Sequence, residues 1–259
     1  MQNLQHKNVI VTGGTHGIGE RTARYFSELG ANVLIIGRDE TQAQKIIEAS
    51  PAGSIKFVKC ELSVRTEVLR LVDRISREDT VYDILINNAS RNSRFNILNI
   101  KEDEWDSMLE LNLTVPMLLS RCVAQKLIRN NKPGHIINIG AVQSFFPLDS
   151  SLAYSTVKGG LRSLTKSMAV DLAPYGILVT LVMPGPIYAK GSGDTPSPEL
   201  DSRSAALIPR MGRTIEVAKL LAFLASDDNS FMTGNEIIID GGRTVSRKPD
   251  PEEIKEDVI

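Results

Sequence analysis

The 259-residue sequence has few cysteines and no long apolar segment. Its two cysteines, Cys60 and Cys122, lie far apart and outside any Cys-x-x-Cys pair, which argues against a zinc site and a disulfide framework. The longest apolar runs, such as Ile177 to Met183, are far too short to span a bilayer, and the N-terminus passes into a strand-like run without a signal-peptide core. These absences predict a cytoplasmic protein that has reduced thiols and neither binds a metal nor inserts into a membrane.

Excess charge of either sign is also missing, because 30 basic residues face 31 acidic ones and the formal net charge is -1. Aromatic residues make up only 5% of the chain, and no basic stripe is interleaved with them. A nucleic-acid partner is therefore not predicted. The length and the ordinary composition fit a single α/β domain over residues 1–259.

Short β-branched runs alternate with helical patterns along the chain, which predicts a doubly wound parallel sheet with helices on both faces. The predicted strands are Asn8–Thr12, Asn32–Ile36, Ile55–Cys60, Asp83–Asn87, Ile136–Ile139, Ile177–Met183 and Glu236–Asp240. The segment 188–211 has no clear periodicity and contains GSGDTPSP, so it is predicted to be a mobile flap over a site. The charged tail, residues 243–259, is predicted to be disordered or to pack on a neighbouring subunit.

A glycine-rich turn follows the first predicted strand directly. Gly13, Gly14, Gly17 and Gly19 lie between that strand and a helical pattern that runs through Leu29. A strand, a glycine turn and a helix together present backbone N–H groups and the positive end of a helix to a pyrophosphate. This arrangement predicts a dinucleotide site.

The residues at the end of the second predicted strand indicate which dinucleotide binds. A free ribose 2′-hydroxyl usually meets a carboxylate at this position, whereas a 2′-phosphate needs a cation. Gly37 occupies the expected position of the carboxylate, and Arg38 follows it. NADP(H) is therefore favoured over NAD(H), with His16 as a second polar contact, while the adjacent Asp39 leaves NAD(H) open.

Tyr154 and Lys158 are the candidate catalytic pair. Their four-residue spacing puts both side chains on one face of a helix, and apolar residues at steps of three or four predict that helix. A nearby ammonium stabilises a phenolate and lowers the pKa of the phenol. The pair could then pass a proton to or from an alcohol oxygen.

Taken together, these residues resemble the short-chain dehydrogenase/reductase family over about residues 6 to 243. The resemblance is carried by Thr12-Gly13-x-x-x-Gly17-x-Gly19, by Asn87-Asn88-Ala89, by Asn112, by Tyr154-x-x-x-Lys158, by Pro184-Gly185 and by Asp240-Gly241-Gly242. It implies a Rossmann-type sheet of seven strands and hydride transfer between a nicotinamide and a small carbonyl or secondary alcohol substrate. It also implies a homotetramer or homodimer.

The resemblance assigns roles to individual residues. It makes Tyr154 the general acid or base, has Lys158 lower the pKa of Tyr154 and hold the nicotinamide ribose, and places Asn112 at a water of the proton relay. The residues that it implies for cofactor binding are Gly13, Thr15, His16, Gly17, Ile18, Gly19, Arg38, Glu61, Leu62, Asn88, Ala89, Tyr154, Lys158, Pro184, Gly185 and Ile187.

Three positions depart from the family pattern. Ala141 stands where the family has a serine whose hydroxyl hydrogen-bonds the reacting oxygen, and losing such a donor costs on the order of 10²–10³ in rate. Ala189 replaces a threonine that grips the carboxamide, and Glu61 replaces an aspartate beside the adenine.

Ala141 leaves several interpretations open. One is that Ser144 supplies the missing hydroxyl and acts as a catalytic residue, and another is that Ala141 is an engineered replacement. A third is that the chain binds nucleotide with weak or no turnover and serves as a sensor or assembly partner.

Overall fold

The computed structural model describes residues 4–189 and 205–248. Strands and helices alternate along the chain. The strands are β1 (Asn8–Thr12), β2 (Asn32–Gly37), β3 (Ile55–Lys59), β4 (Ile84–Asn87), β5 (Gly134–Ile139), β6 (Ile177–Pro184), β7 (Ile187–Tyr188), β8 (Gly212–Arg213) and β9 (Glu236–Ile239). The α-helices are α1 (Gly17–Glu28), α2 (Glu40–Glu48), α3 (Arg65–Arg77), α4 (Glu102–Leu109), α5 (Val115–Arg129), α6 (Leu152–Leu172) and α7 (Thr214–Ala225).

Seven strands form one parallel sheet in the order β3-β2-β1-β4-β5-β6-β9. The chain winds outward from β1 in one direction through β2 and β3, and in the other direction from β4 onward. This reversal opens a crevice at the carboxyl ends of β1 and β4, which is where such sheets bind ligands. The predicted single-domain, doubly wound α/β fold of the Rossmann type is confirmed.

Alternating side chains bury both faces of the sheet. In β1, Val9 and Val11 pack on the face covered by α1, α2 and α7, whereas Ile10 points to the face covered by α3, α5 and α6. All three side chains are fully buried. Strands that are buried on both faces become near-continuous apolar runs, which explains why the strands were readable from the sequence.

A chain of buried amides and hydroxyls ties the central strands to the helices beneath them. Asn87 Nδ2 donates to Ser120 Oγ at 3.1 Å and to Asn138 Oδ1 at 2.9 Å, and Asn138 Nδ2 donates to Thr165 Oγ1 at 2.9 Å. Buried polar groups are costly unless they are paired, so this network fixes β4 and β5 against α5 and α6.

The helical segment that runs from α4 to α5 is not a continuous α-helix. A π-helical turn, Glu110–Thr114, separates α4 from α5. Asn112 lies in this turn, is only 1% exposed, and donates from Nδ2 to the Met108 carbonyl at 3.2 Å. Wide turns of this kind are frequent at functional sites.

Helix α2 was missing from the sequence prediction. Its start is fixed by Asp39, whose Oδ1 accepts a hydrogen bond from the Gln42 backbone N–H at 2.9 Å. An aspartate followed by a short apolar period is a helix-start signal that the sequence analysis did not use.

Most of the predicted flap and tail falls outside the described residues, namely residues 190–204 and 249–259. The described ends of the flap lie side by side, because β7 and β8 form a short parallel pair. The described start of the tail is bonded to the sheet end, where the Thr244 N–H donates to Asp240 Oδ2 at 2.7 Å. Across the part of the chain that the structure describes, each helix is too short or too polar to cross a membrane.

Stability is expected to fall in mild acid because of His135 on β5. Burial, with a smaller effect of Lys7, lowers the pKa of His135 to about 4, although Asp227 opposes the change. Between pH 6.5 and 4 the unfolded chain therefore binds a proton that the folded chain does not. Stability is complete above this window and is lost as the pH falls through it, by about 3 kcal/mol.

Chemical denaturation at pH 7 and pH 4.5 checks the role of His135. The His135→Gln variant should lose less stability on acidification than the native protein, and a His6→Gln variant, at an exposed position, should behave like the native protein. Equal losses for all three proteins would remove His135 from the explanation.

Candidate active site

A cleft with a volume of about 1040 Å³ opens at the carboxyl ends of the central strands. Most of the sequence-predicted site residues meet in its wall: Gly13, Thr15, His16, Ile18, Arg38, Glu61, Leu62, Asn88, Ala89, Tyr154, Pro184, Gly185 and Ile187. Other predicted residues lie outside the described wall: Gly17, Gly19, Lys158, Asn112 and Ser144.

The glycine turn brings bare backbone to the cleft. A Cβ atom on Gly19 would lie 2.2 Å from the Gly13 carbonyl oxygen and 2.5 Å from Asn88 Nδ2, so no side chain fits there. Asn88 holds the turn against β4, because its Nδ2 donates to the carbonyls of Thr12 at 2.9 Å and Gly13 at 3.2 Å. His16 is the N-cap of α1 without a side-chain capping bond, among the contacts the structure describes. The first-turn N–H groups therefore suit a pyrophosphate.

Arg38, Glu61 and Asp39 lie at the end of the cleft beyond the glycine turn. Arg38 Nη1 contacts Glu61 Oε2 at 3.1 Å, and its side chain is 74% exposed. Burial raises the pKa of Glu61, but hydrogen bonds from Ser63 and Arg38 outweigh it, so the pKa is lowered overall. The Asp39 carboxylate caps α2 and also lies 3.4 Å from His16 Nε2. Gly37 contributes only backbone to the wall, and a Cβ there would lie 3.1 Å from Thr15 Oγ1.

Tyr154 and Lys158 lie one turn apart on α6, as their spacing predicted. The Lys158 ammonium is buried, donates to the Ile139 carbonyl at 2.8 Å, and lies 5.6 Å from the centroid of the Tyr154 ring. Burial lowers the pKa of Lys158 to about 7. The phenol, by contrast, reaches the wall of the cleft.

The expected lowering of the Tyr154 pKa by Lys158 is not found in this structure. Burial raises the pKa of the phenol, and a smaller effect of Ser90 opposes the rise. The Lys158 ammonium is instead engaged with the Ile139 carbonyl, 5.6 Å from the centroid of the phenol ring.

The Ser144 hydroxyl is engaged outside the described wall of the cleft. It lies against the sulfur of Met183 at 3.6 Å, whereas Ala141 lines the cleft itself. This geometry gives no support to the expectation that Ser144 replaces the missing serine hydroxyl.

Ser90 is a site residue that the sequence analysis missed. It lines the cleft together with Tyr154, and its Oγ donates to Asn112 Oδ1 at 2.6 Å; the sequence resemblance gave catalytic roles to both of these residues. A signal was present, because Ser90 directly follows Asn87-Asn88-Ala89 at a strand end, and polar residues at strand ends of such sheets face the ligand.

No group of three or more metal-ligating side chains occurs within residues 4–189 and 205–248.

A family model described as "Enoyl-(Acyl carrier protein) reductase" matches residues 13–244. A curated relative, an uncharacterized oxidoreductase from Thermotoga maritima, is 34% identical over 250 residues, which cover 93% of this chain and 97% of the relative.

Two solved structures share the architecture. The acetoin dehydrogenase from Enterobacter cloacae is 30% identical and superposes with a TM-score of 0.85, covering 94% of this chain and 98% of its own. A protein described as a short chain dehydrogenase/reductase family protein is 27% identical with a TM-score of 0.82, covering 93% and 98% of the two chains. The similarity therefore spans almost the whole length of each chain.

Proposed function

This chain belongs to the short-chain dehydrogenase/reductase family of nicotinamide-dependent oxidoreductases, and within that family we propose that it transfers a hydride between NADP(H) and a small carbonyl or secondary alcohol substrate. One observation carries the proposal. The Tyr154 phenol lines the same cleft as the glycine turn at the start of α1. A dinucleotide whose pyrophosphate binds at that turn can therefore extend along the cleft to the phenol.

The chain's own side chains supply the proton chemistry. A nicotinamide, when bound, supplies or accepts the hydride at its C4 atom. In the direction of reduction, Tyr154 donates its phenolic proton to the substrate oxygen, and in the direction of oxidation it accepts a proton from the alcohol. Lys158 places a cation behind the ring, and Asn88 holds the glycine turn in place.

Turnover of a carbonyl panel tests this proposal. The panel contains a 3-oxoacyl thioester, an aldose, a steroid ketone and a small hydroxyketone such as acetoin, which the name of one structural neighbour specifies. We expect NADPH oxidation with at least one member and a corresponding alcohol product. Binding of NADPH without oxidation by any member, and without reduction of NADP⁺ by the matching alcohols, would contradict it.

The second candidate function is nucleotide binding with weak or no turnover, as a sensor or assembly partner. The observation that favours it is Ala141, which lines the cleft where the family has a serine hydroxyl. The same panel separates the two functions, because a binding protein retains its affinity for NADPH but does not oxidise it.

The preference for NADP(H) predicts a selective effect of Arg38→Ala. Arg38 is exposed and follows Gly37, which offers no carboxylate, while Asp39 is engaged as the cap of α2. Since charge-assisted hydrogen bonds contribute about 1.5–3 kcal/mol, the affinity for NADPH should fall roughly tenfold to a hundredfold and that for NADH less than threefold.

Nucleotide titrations followed by fluorescence check this prediction. A Lys59→Ala variant is the matched control, because Lys59 is another exposed cation near this end of the sheet and pairs with Glu40. Equal losses of affinity for both nucleotides in Arg38→Ala would overturn the preference for NADP(H).

We also propose a homotetramer or homodimer, in keeping with the family, and a cytoplasmic location from the scarce, unpaired cysteines. Analytical ultracentrifugation tests the assembly.

A further inference from the structure

We propose that Ser90 supplies the hydroxyl beside Tyr154 that residue 141 lacks. The inference rests on the proposed oxidoreductase function. It concerns a side chain on the loop after β4, on a different segment from Ala141 and Ser144.

Position 141 cannot provide a hydrogen bond from its side chain. Ala141 is 5% exposed and its extended backbone brings it to the wall of the cleft, but its side chain ends at Cβ. Ser144 is three residues further along the chain, and its hydroxyl contacts Met183 instead. Within the described part of the loop after β5, the phenol thus gains no hydroxyl partner from either position.

Ser90 lies on the loop after β4, the strand that pairs with β5 in the sheet. Its Oγ donates to Asn112 Oδ1 at 2.6 Å, and it lines the same cleft as Tyr154, where it opposes the rise that burial causes in the pKa of the phenol. Asn112 Oδ1 is held as an acceptor, because the amide is buried in the π-helical turn and its Nδ2 donates to the Met108 carbonyl. Ser90 is thus held by a fixed acceptor in the cleft that the phenol lines.

This arrangement defines the hydrogen-bond directions. With neutral Tyr154, the Ser90 hydrogen points to Asn112, so the Ser90 oxygen can accept the phenolic O–H. When the phenolic O–H bond breaks and the proton passes to the substrate oxygen, the Ser90 O–H can rotate and donate to the phenolate. The anion then gains a hydrogen bond, while the number of protons on Ser90 is unchanged. Stabilising the anion favours proton release.

Removing the hydroxyl tests the proposal. In Ser90→Ala we expect kcat to fall roughly tenfold to a hundredfold, the effect of losing one hydrogen bond to a charged group, with NADPH affinity within twofold of native. The Ser90→Thr variant should retain most of the activity because it keeps the hydroxyl. In the Ser90→Ala background, Ala141→Ser should recover part of the loss, since it restores a hydroxyl on the other side of the phenol.

Ser144→Ala is the competing variant, and we expect it to leave kcat unchanged. A lowered kcat in Ser144→Ala, together with an unchanged kcat in Ser90→Ala, would overturn the proposal in favour of Ser144.

A second measurement does not depend on turnover. Tyrosine labelled with ¹³C at Cζ allows the pKa of Tyr154 to be followed by NMR in the complex with NADP⁺, with Tyr154→Phe used to assign the signal. Ser90→Ala should raise that pKa by about one pH unit. An unchanged pKa refutes the role of Ser90 even when the native protein turns over every carbonyl. Absence of carbonyl turnover in the native protein contradicts the proposed function instead.

Discussion

Tyr154→Phe should lower kcat by a factor of about 10³ or more while the affinity for NADPH stays within about twofold of native. The phenol lines the cleft, so removing its oxygen eliminates the proton donor and acceptor of the proposed reaction. Positioned acid–base groups contribute about 10²–10⁴ in rate. The ring itself remains, and it packs with Met108, Ala153 and Val157, so the fold should be retained. Steady-state kinetics with the best carbonyl of the panel, together with nucleotide titration, measures both quantities.

Tyr175→Phe is the matched control. This tyrosine lies just beyond the C-terminal end of the same helix α6 and is 53% exposed, so the variant should turn over at the native rate. Undiminished turnover in Tyr154→Phe would exclude the phenol as the acid–base group and would require another proton donor in the cleft.

Lys158→Met should lower kcat/KM by roughly a hundredfold or more. Methionine fills much of the space of the lysine stem but removes the buried cation 5.6 Å from the centre of the Tyr154 ring. The family resemblance has Lys158 hold the nicotinamide ribose, so we expect the loss of the ammonium to misplace the nicotinamide, and the Ile139 carbonyl loses its partner. An unpaired buried carbonyl costs about 1–3 kcal/mol, so thermal denaturation is measured alongside the kinetics.

Lys166→Met is the control for charge and helix position. Lys166 lies two turns further along α6, is exposed, and pairs with Glu236 at 2.7 Å. The Lys166→Met variant should lose a little stability and no activity. A Lys158→Met protein that folds, binds NADPH and keeps full kcat/KM would show that the buried ammonium has no part in catalysis.

The sheet could be predicted from the sequence because of where its strands lie. Strand β4, for example, is buried on both faces, and its residues 84–86 form an unbroken apolar run. The glycine turn was equally readable, since only glycine avoids the overlap that a Cβ at Gly19 would make with the Gly13 carbonyl. A local backbone requirement restricts the residue type at that position and can therefore be recognised in the sequence.

The contacts within the site were harder to predict from the sequence. The hydrogen bond between Ser90 and Asn112 joins residues that are 22 positions apart, and its existence depends on the π-helical turn that places Asn112. A serine in a loop has no pattern that distinguishes this contact from a solvated hydroxyl. Ser144 has the same residue type at a plausible spacing, yet its hydroxyl lies against Met183.

The raised pKa of Tyr154 could not be predicted from the sequence either, because it too depends on the surrounding fold. A Tyr-x-x-x-Lys spacing predicts which helix face the two residues share, but not how deeply each is buried. Burial works against the phenolate and against the ammonium, and both shifts depend on the surrounding elements.

The central claim is that a hydride moves directly from the nucleotide to a carbonyl carbon within the cleft beside Tyr154. Transfer of deuterium from NADPH that is fully deuterated at C4 tests it most directly, with the product analysed by mass spectrometry. We expect one deuterium on the carbinol carbon of the product alcohol, and none in the Tyr154→Phe protein over the same time. Oxidation of NADPH that leaves no deuterium in the alcohol, or label transfer that persists unchanged in Tyr154→Phe, would contradict the account.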